Sequence, residues 1–309
     1  MPLPPYRAVI DLGTNTFHLL IAAVDAHSVI GVVYRERIYV RLADDGIESI
    51  GPAPFARGIQ ALKHFRNKLE EYNVPSVSAI GTAALRTATN GEVFVRTAEK
   101  EAGIVIELIP GDREAELITT GVLAALPTLT DRILIMDIGG GSTEYIIASG
   151  EGVHWRQSFP IGVAILHHSF HHTDPISEHE IRQLEGFLTE QLRPLRDALA
   201  EYPTTHLVGS AGTFDVMADI LSTAEQNDRQ HYHELDMSGL EALHFQLISA
   251  TLAERLAMPG LPNERADLIV VATLLLRHTI ELAQISRITV SEYAMKEGIL
   301  LEGVKGLRG

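Results

Sequence analysis

Asp11 and Asp137 each close an apolar run and stand two residues before a glycine, in Ala8-Val9-Ile10-Asp11-Leu12-Gly13-Thr14-Asn15-Thr16 and Ile135-Met136-Asp137-Ile138-Gly139-Gly140-Gly141-Ser142. Both copies read apolar run, Asp, apolar residue, Gly, two variable residues, then Ser or Thr. Small residues let backbone N–H groups close on an oxyanion, and a carboxylate at a strand end can hold a cation, so the pattern suits a phosphate with Mg²⁺. One Asp-x-Gly also marks an ordinary hairpin. The duplication, at an offset of 126 residues from one aspartate to the other, makes the signal informative: it predicts two similar domains, each lending one turn to a shared cleft.

Gly139-Gly140-Gly141-Ser142-Thr143 is the segment best suited to wrapping phosphate, since a structural hairpin needs fewer glycines. Asp137 before it and Glu144 after it are hard oxygen ligands of the kind Mg²⁺ takes, often through water; the alternative for Glu144 is an exposed strand-edge residue. Asp112 is placed to cap a helix, and Glu114 falls just inside it, where the helix dipole favours an ionised carboxylate able to orient an attacking water. Glu in a first turn is also a common helix stabiliser. Arg86 follows a strand end and can bind phosphate bidentately, or form a surface ion pair. His167, His168, His171 and His172 make two i, i+4 pairs that could hold a transition metal, but without a clear acidic third ligand they read better as a polar inter-element segment. Ser142 as a nucleophile is weaker still, because Glu144 stands where a Gly-x-Ser-x-Gly elbow needs its last glycine.

The elements that must position these groups alternate between strand and helix. The apolar run from Ala8 to Asp11, then 17–24 and 29–42, read as three strands, and Gly51-Pro52-Ala53-Pro54 announces a helix whose stripe is Phe55, Ile59, Leu62, Phe65, Leu69 and Tyr72. A strand at 76–80, a helix at 91–102, a strand at 104–109 and a helix through Glu114 to Ala125 follow. Pro127-Thr128-Leu129-Thr130-Asp131 is the expected junction between domains 1–126 and 127–309. The second domain repeats the order with strands at 132–136, 143–148 and 153–159. It continues with a helix at the Ser177-to-Glu180 capping box, a strand at 206–208, and helices at 211–221 and 264–283. The expected class is α/β, three antiparallel strands leading into parallel ones.

Composition narrows the function. The 309 residues are 46% hydrophobic, enough for two ordinary cores, and contain no cysteine, which excludes disulfides, thiolate metal sites and cysteine nucleophiles. No secretory signal is read in the Pro-rich start, and the longest apolar run near the C-terminus, 268–276, is too short to span a bilayer, so a cytoplasmic protein without a membrane partner is expected. A net charge of −15 opposes nucleic-acid binding and repels polyanions generally. A local basic lining is sought at Arg35, Arg37 and Arg41, and at Lys63, Arg66 and Lys68; Glu70 and Glu71 make the latter set a solvated helix face.

Seven segments in order carry a family resemblance: residues 8–19; Gly81-Thr82-Ala83-Ala84-Leu85-Arg86-Thr87-Ala88-Thr89-Asn90; Ile109-Pro110-Gly111-Asp112-Arg113-Glu114-Ala115-Glu116-Leu117-Ile118; Asp137 to Glu144; Gly209-Ser210-Ala211-Gly212-Thr213; Arg265-Ala266-Asp267; and Val290-Ser291-Glu292-Tyr293. The chain resembles the exopolyphosphatase and guanosine pentaphosphate phosphohydrolase (Ppx/GppA) family of the actin, sugar kinase and Hsp70 superfamily. The resemblance implies two ribonuclease H-like domains with mixed five-stranded sheets facing a central cleft, and hydrolysis of a terminal phosphoanhydride of polyphosphate or guanosine pentaphosphate. It implies Glu114 as catalytic carboxylate and Asp137 and Glu144 as Mg²⁺ ligands. Substrate contacts are implied at Asp11, Gly13, Thr14, Asn15, Thr16, Arg86, Gly139, Gly140, Gly141, Ser142, Thr143, Gly212 and Thr213. It also implies that a final helix, 293–304, returns to the first domain.

Arg113 stands where many relatives carry an acidic residue, and Ala294-Met295-Lys296 where a Gly-Leu-Arg is common. The sequence stops before the helical C-terminal domains of longer relatives, which with the net charge favours short or nucleotide-linked phosphates. A superfamily kinase and a noncatalytic nucleotide sensor are the rival readings. The sequence leaves the oligomeric state open, a homodimer included.

Overall fold

The computed structural model describes residues 6–24, 30–221 and 230–305, without the side chains of 303–305. Val29, part of an expected strand, and the first five residues lie outside them. Alternating apolar residues build β1 (Arg7–Leu12), β2 (Thr16–Val24) and β3 (Ile30–Tyr39), with Ala8, Ile10, Leu12, Phe17, Leu19 and Ile21 turned to one core. Against that face lie α1 (Pro52–Glu71), whose buried stripe is the one its spacing predicts, and, after β4 (Ser76–Gly81) and α2 (Ala83–Thr87), α3 (Gly91–Ala102). Phe94 seals the contact, edge-on to both Phe17 and Phe55. Next come β5 (Ile106–Leu108) and α4 (Gly111–Ala125). The sheet order is β3-β2-β1-β4-β5, antiparallel up to β1 and parallel beyond it.

The order repeats with β6 (Ile133–Ile138), β7 (Thr143–Ser149), β8 (Gly152–Phe159), α5 (Val163–Phe170), α6 (Glu178–Gln191), α7 (Arg193–Glu201), β9 (His206–Ser210) and α8 (Gly212–Leu221). It continues with β10 (Tyr232–Leu235), α9 (Met237–Ser249), α10 (Leu252–Leu256), α11 (Ile269–Ala283) and β11 (Arg287–Ser291). This sheet has six strands, β10-β11-β9-β6-β7-β8, rather than the five expected, because β10 adds an antiparallel edge to β11. A four-residue Tyr-His-Glu-Leu strand is too short to show a period. The helix expected over 264–283 starts only at Ile269. Asn263–Arg265 form a 3₁₀ turn, and the Asp267 carboxylate takes the Leu268 N–H at 2.9 Å, competing with helical bonding.

Two units result, Met1–Gly121 with Ala294–Gly309, and Val122–Tyr293. The final helix α12 (Met295–Lys305) packs in the first unit on β1 and β2. It crosses α4 so closely that a Cβ on Gly298 would stand 1.9 Å from the Leu117 carbonyl oxygen, and one on Gly121 2.0 Å from that of Ala294. No described helix is long and apolar enough to cross a membrane.

Candidate active site

The two Asp-x-Gly turns repeat down to single hydrogen bonds. Gly13 N–H donates to the Thr16 carbonyl at 3.1 Å, and Gly139 N–H to that of Ser142 at 3.0 Å. At either glycine a Cβ would crowd that same oxygen, at 3.0 and 2.9 Å. In the first turn the Thr14 and Asn15 carbonyls accept from the N–H groups of Leu42, and of Val40 and Arg41. In the second, the Gly139 and Gly140 carbonyls accept from Val163 and Ala164, the first two residues of α5. A trans peptide sends the next N–H opposite to its carbonyl, so the amides of Asn15 and Thr16, and of Gly140 and Gly141, are aimed away from these supports. Such outward amides are the anion-binding element of a nest. The Thr16 hydroxyl adds a buried oxygen with no hydrogen-bond partner among the described protein atoms.

In the first unit, the C-terminal ends of the parallel strands gather the other predicted groups. Thr82 N–H reaches the Leu12 carbonyl and Ile109 N–H that of Gly81, tying together the residues that follow β1, β4 and β5. Arg86 lies on α2, a one-turn helix that sequence periodicity does not reveal, and its Nη1 donates to the Ile109 carbonyl at 2.6 Å and stands 3.5 Å from Glu114 Oε2. Glu114 is only 8% exposed. Asp112 is not the cap expected of it. The Pro110 carbonyl accepts the Arg113 and Glu114 N–H groups, which puts Pro110 at the cap and both acids inside the first turn. Glu114 is thus a buried carboxylate at a helix N-terminus beside a guanidinium.

In the second unit, Asp137 and Glu144 are register partners across β6 and β7, so their side chains share a face. They are 6% and 1% exposed. Ser210, paired with Asp137 from β9, donates its hydroxyl to Asp137 Oδ2 at 2.8 Å, and Ser158, paired with Glu144 from β8, donates to Glu144 Oε1 at 2.6 Å. Two buried carboxylates on one face are hard oxygen donors of the kind a divalent cation takes. Among the described residues no group of three or more His, Asp or Glu is placed to hold a metal ion. An ion at Asp137 and Glu144 would therefore complete its shell with hydroxyl, substrate and water oxygens, which is how Mg²⁺ is usually held.

The remaining predicted contacts fall around this pair. Thr143 is fully buried and its hydroxyl donates to the Ile161 carbonyl, so it braces the turn. Ser142 is 5% exposed. Gly212 and Thr213 open α8 behind Ala211, whose φ of 66° is a left-handed conformation costly for alanine. Four contributors have contacts that sequence reasoning does not assign, although Ser210 and Arg265 stand in segments that carry the resemblance. The contacts of Ser158 and Ser210 become visible only through strand register. Gly162 is required because a Cβ there would lie 2.4 Å from Gly140 and Gly141 backbone atoms, and Arg265 packs its guanidinium 2.2 Å from where a Gly212 Cβ would be. The histidines do not assemble with these groups: His167 and His168 end α5, and His167 meets His171 edge-on at 5.0 Å.

The match with known proteins is broad. A crystal structure of an exopolyphosphatase from Cytophaga hutchinsonii superposes with a TM-score of 0.93 and 38% identity, covering 97% of this chain and 98% of that one. The Aquifex aeolicus member of the Ppx/GppA protein family gives a TM-score of 0.80 at 24% identity, with 99% of both chains covered, a likeness of fold. The guanosine-5'-triphosphate,3'-diphosphate pyrophosphatase of Vibrio parahaemolyticus is 29% identical over 305 residues, which are 98% of this chain but 60% of that protein's length. Residues 20–306 match the family described as Ppx/GppA phosphatase, and the chain belongs to that family.

Proposed function

We propose that the protein hydrolyses the terminal phosphoanhydride of an inorganic polyphosphate or of guanosine pentaphosphate, the substrates named for its relatives. The observation that carries this reading is the buried Asp137–Glu144 pair beside a turn whose amides are aimed outward. Phosphoryl transfer passes through a loose transition state, so the protein's work is positioning and charge neutralisation. Mg²⁺, when bound at Asp137 and Glu144, supplies neutralisation of phosphate charge.

Each unit offers its own phosphate donors: the amides at 15 and 16 and the Arg86 guanidinium in the first, the amides at 140 and 141 in the second. Glu114 accepts a proton from water while the water oxygen bonds to the terminal phosphorus. The anhydride P–O bond breaks, its electron pair leaves on the shortened chain, and orthophosphate is released. Arg86 holds Glu114 in place before substrate arrives.

The test is phosphate release from short polyphosphate, long polyphosphate, guanosine pentaphosphate and ATP, with Mg²⁺ and with EDTA. Glu114→Gln should cut turnover by roughly 10²- to 10⁴-fold, the usual worth of a general base, while binding persists. Undiminished turnover in that variant removes Glu114 from the chemistry. ADP formation that requires an added acceptor makes the protein a kinase, and nucleotide binding without release makes it a sensor.

A further inference from the structure

The acidic pair of the second unit sits inside a row of four. Ser210, Asp137, Glu144 and Ser158 are successive register partners across the adjacent strands β9, β6, β7 and β8, so their side chains share one face. The serines thus stand on the two outer flanks of the carboxylates. Ser210 donates to Asp137 Oδ2 at 2.8 Å and Ser158 to Glu144 Oε1 at 2.6 Å, both within the ordinary range for O–H···O bonds. A hydroxyl has one proton to give, so each serine holds one oxygen of its carboxylate.

We propose that Ser158 and Ser210 are positioning residues that set which divalent ion the pair accepts: by holding one oxygen of each carboxylate they restrict it to ligation through a single oxygen, and so favour Mg²⁺ over Ca²⁺. Mg²⁺ demands octahedral geometry at about 2.0–2.1 Å and keeps several waters, so one oxygen from each of two carboxylates serves it. Ca²⁺ takes roughly six to eight oxygens at about 2.3–2.6 Å and gains from a carboxylate that offers both of its own. To offer both, Asp137 or Glu144 must give up its serine bond. At Asp137 this would strip the acceptor from a hydroxyl whose residue is fully buried. Among the described residues no group of three His, Asp or Glu is placed to supply the extra ligands instead. The proposal rests on the cation reading of Asp137 and Glu144.

The test is ion competition on the full chain. Mn²⁺ is bound first, its displacement by Mg²⁺ or by Ca²⁺ is followed by electron paramagnetic resonance of the freed ion, and thermal unfolding shows that each variant is folded. The wild type should prefer Mg²⁺. In Ser158→Ala, at the half-buried one of the two serines, the ratio of Ca²⁺ to Mg²⁺ affinity should rise about tenfold, the lower end of what losing a partner of a metal ligand costs. Ser158→Thr keeps the donor and should keep the wild-type ratio. A merely structural serine would weaken both ions alike, so an unchanged ratio in Ser158→Ala overturns the selecting role, as does a wild type that prefers Ca²⁺. A wild type that binds no Mn²⁺, or binding that survives Asp137→Asn with Glu144→Gln, overturns the cation reading itself. A second measurement needs no variant: in infrared difference spectra of the wild type with Mg²⁺ and with EDTA, the separation of the two carboxylate stretching bands distinguishes ligation through one oxygen from ligation through two. The one-oxygen pattern is expected, and the two-oxygen pattern overturns the proposal.

Discussion

His244 and His171 are both kept neutral in the second unit. Burial pushes each imidazole down to about 4, helped by Arg277 beside His244 and by His167 and Arg255 near His171. In the unfolded chain a histidine titrates near 6.5, so between about 6.5 and 4 the unfolded state binds more protons and folding stability falls as pH falls. Each histidine adds up to about 1.4 kcal/mol per pH unit to that slope, and His244→Gln should flatten it in denaturant unfolding followed from pH 7 to 4. An unaltered slope would show that His244 is accessible to protons when folded.

Glu180 acts in the same direction at lower pH. Burial alone raises its pKa, but donors from Thr173, Ser177 and His172 outweigh this and hold it far below the carboxylate range. Its contribution is complete above about 4.3 and disappears on further acidification. Among single residues, sequence exposes those fixed by a motif: Asp11, Asp137, Glu114 and the Ser177–Glu180 capping box, which forms as read. The contacts of Ser158 and Ser210 stay hidden, because they depend on which residues strand pairing sets side by side.

At the element scale, α4 and α12 cross in close backbone contact. Arg113 bonds Glu116 and Glu302, so its charge serves this crossing. Both partners are well exposed, which limits the ion pair to about 1 kcal/mol or less. The glycines matter more. Ala in place of Gly298 gains about 1 kcal/mol of helix propensity. It also drives a methyl into the Leu117 carbonyl, and overpacking against backbone costs up to about 3 kcal/mol. The clash should win, lowering the melting temperature of Gly298→Ala by roughly 5 °C. A rise by calorimetry would mean that the helices separate freely.

Elements with long stripes, such as α1 and α3, are legible in sequence because burial and period coincide. α2, α10 and β10 are not, since four or five residues cannot complete a pattern and long-range packing decides them. The helix set of the expected basic lining proves to be a solvated face: Lys63 pairs with Glu101, Arg66 with Glu70 and Lys68 with Glu71.

At the scale of the molecule, a net charge of −15 opposes the approach of a polyanion even where the site itself has donors. Salt should therefore help rather than hinder. At fixed free Mg²⁺, raising ionic strength from about 0.02 to 0.15 M shortens the screening length severalfold, so kcat/KM for long polyphosphate should rise while that for a short substrate changes less. A fall for the long substrate would reveal a basic guide stronger than the overall field. The α/β class and the twofold repeat are legible from the duplicated turns, since a turn with its flanking strands is local in sequence. The sixth strand is not, since the strand it pairs with among the described residues is β11, more than fifty residues away.

The first unit is discontinuous: residues 294 onward complete it only after the whole of the second has intervened. During synthesis on the ribosome, the second unit can reach its native state from a continuous stretch of nascent chain, whereas β1 and β2, made first, wait for the α12 that packs on them. The earliest strands to emerge are thus among the last to be finished, and that interval is when chaperone capture or aggregation would begin.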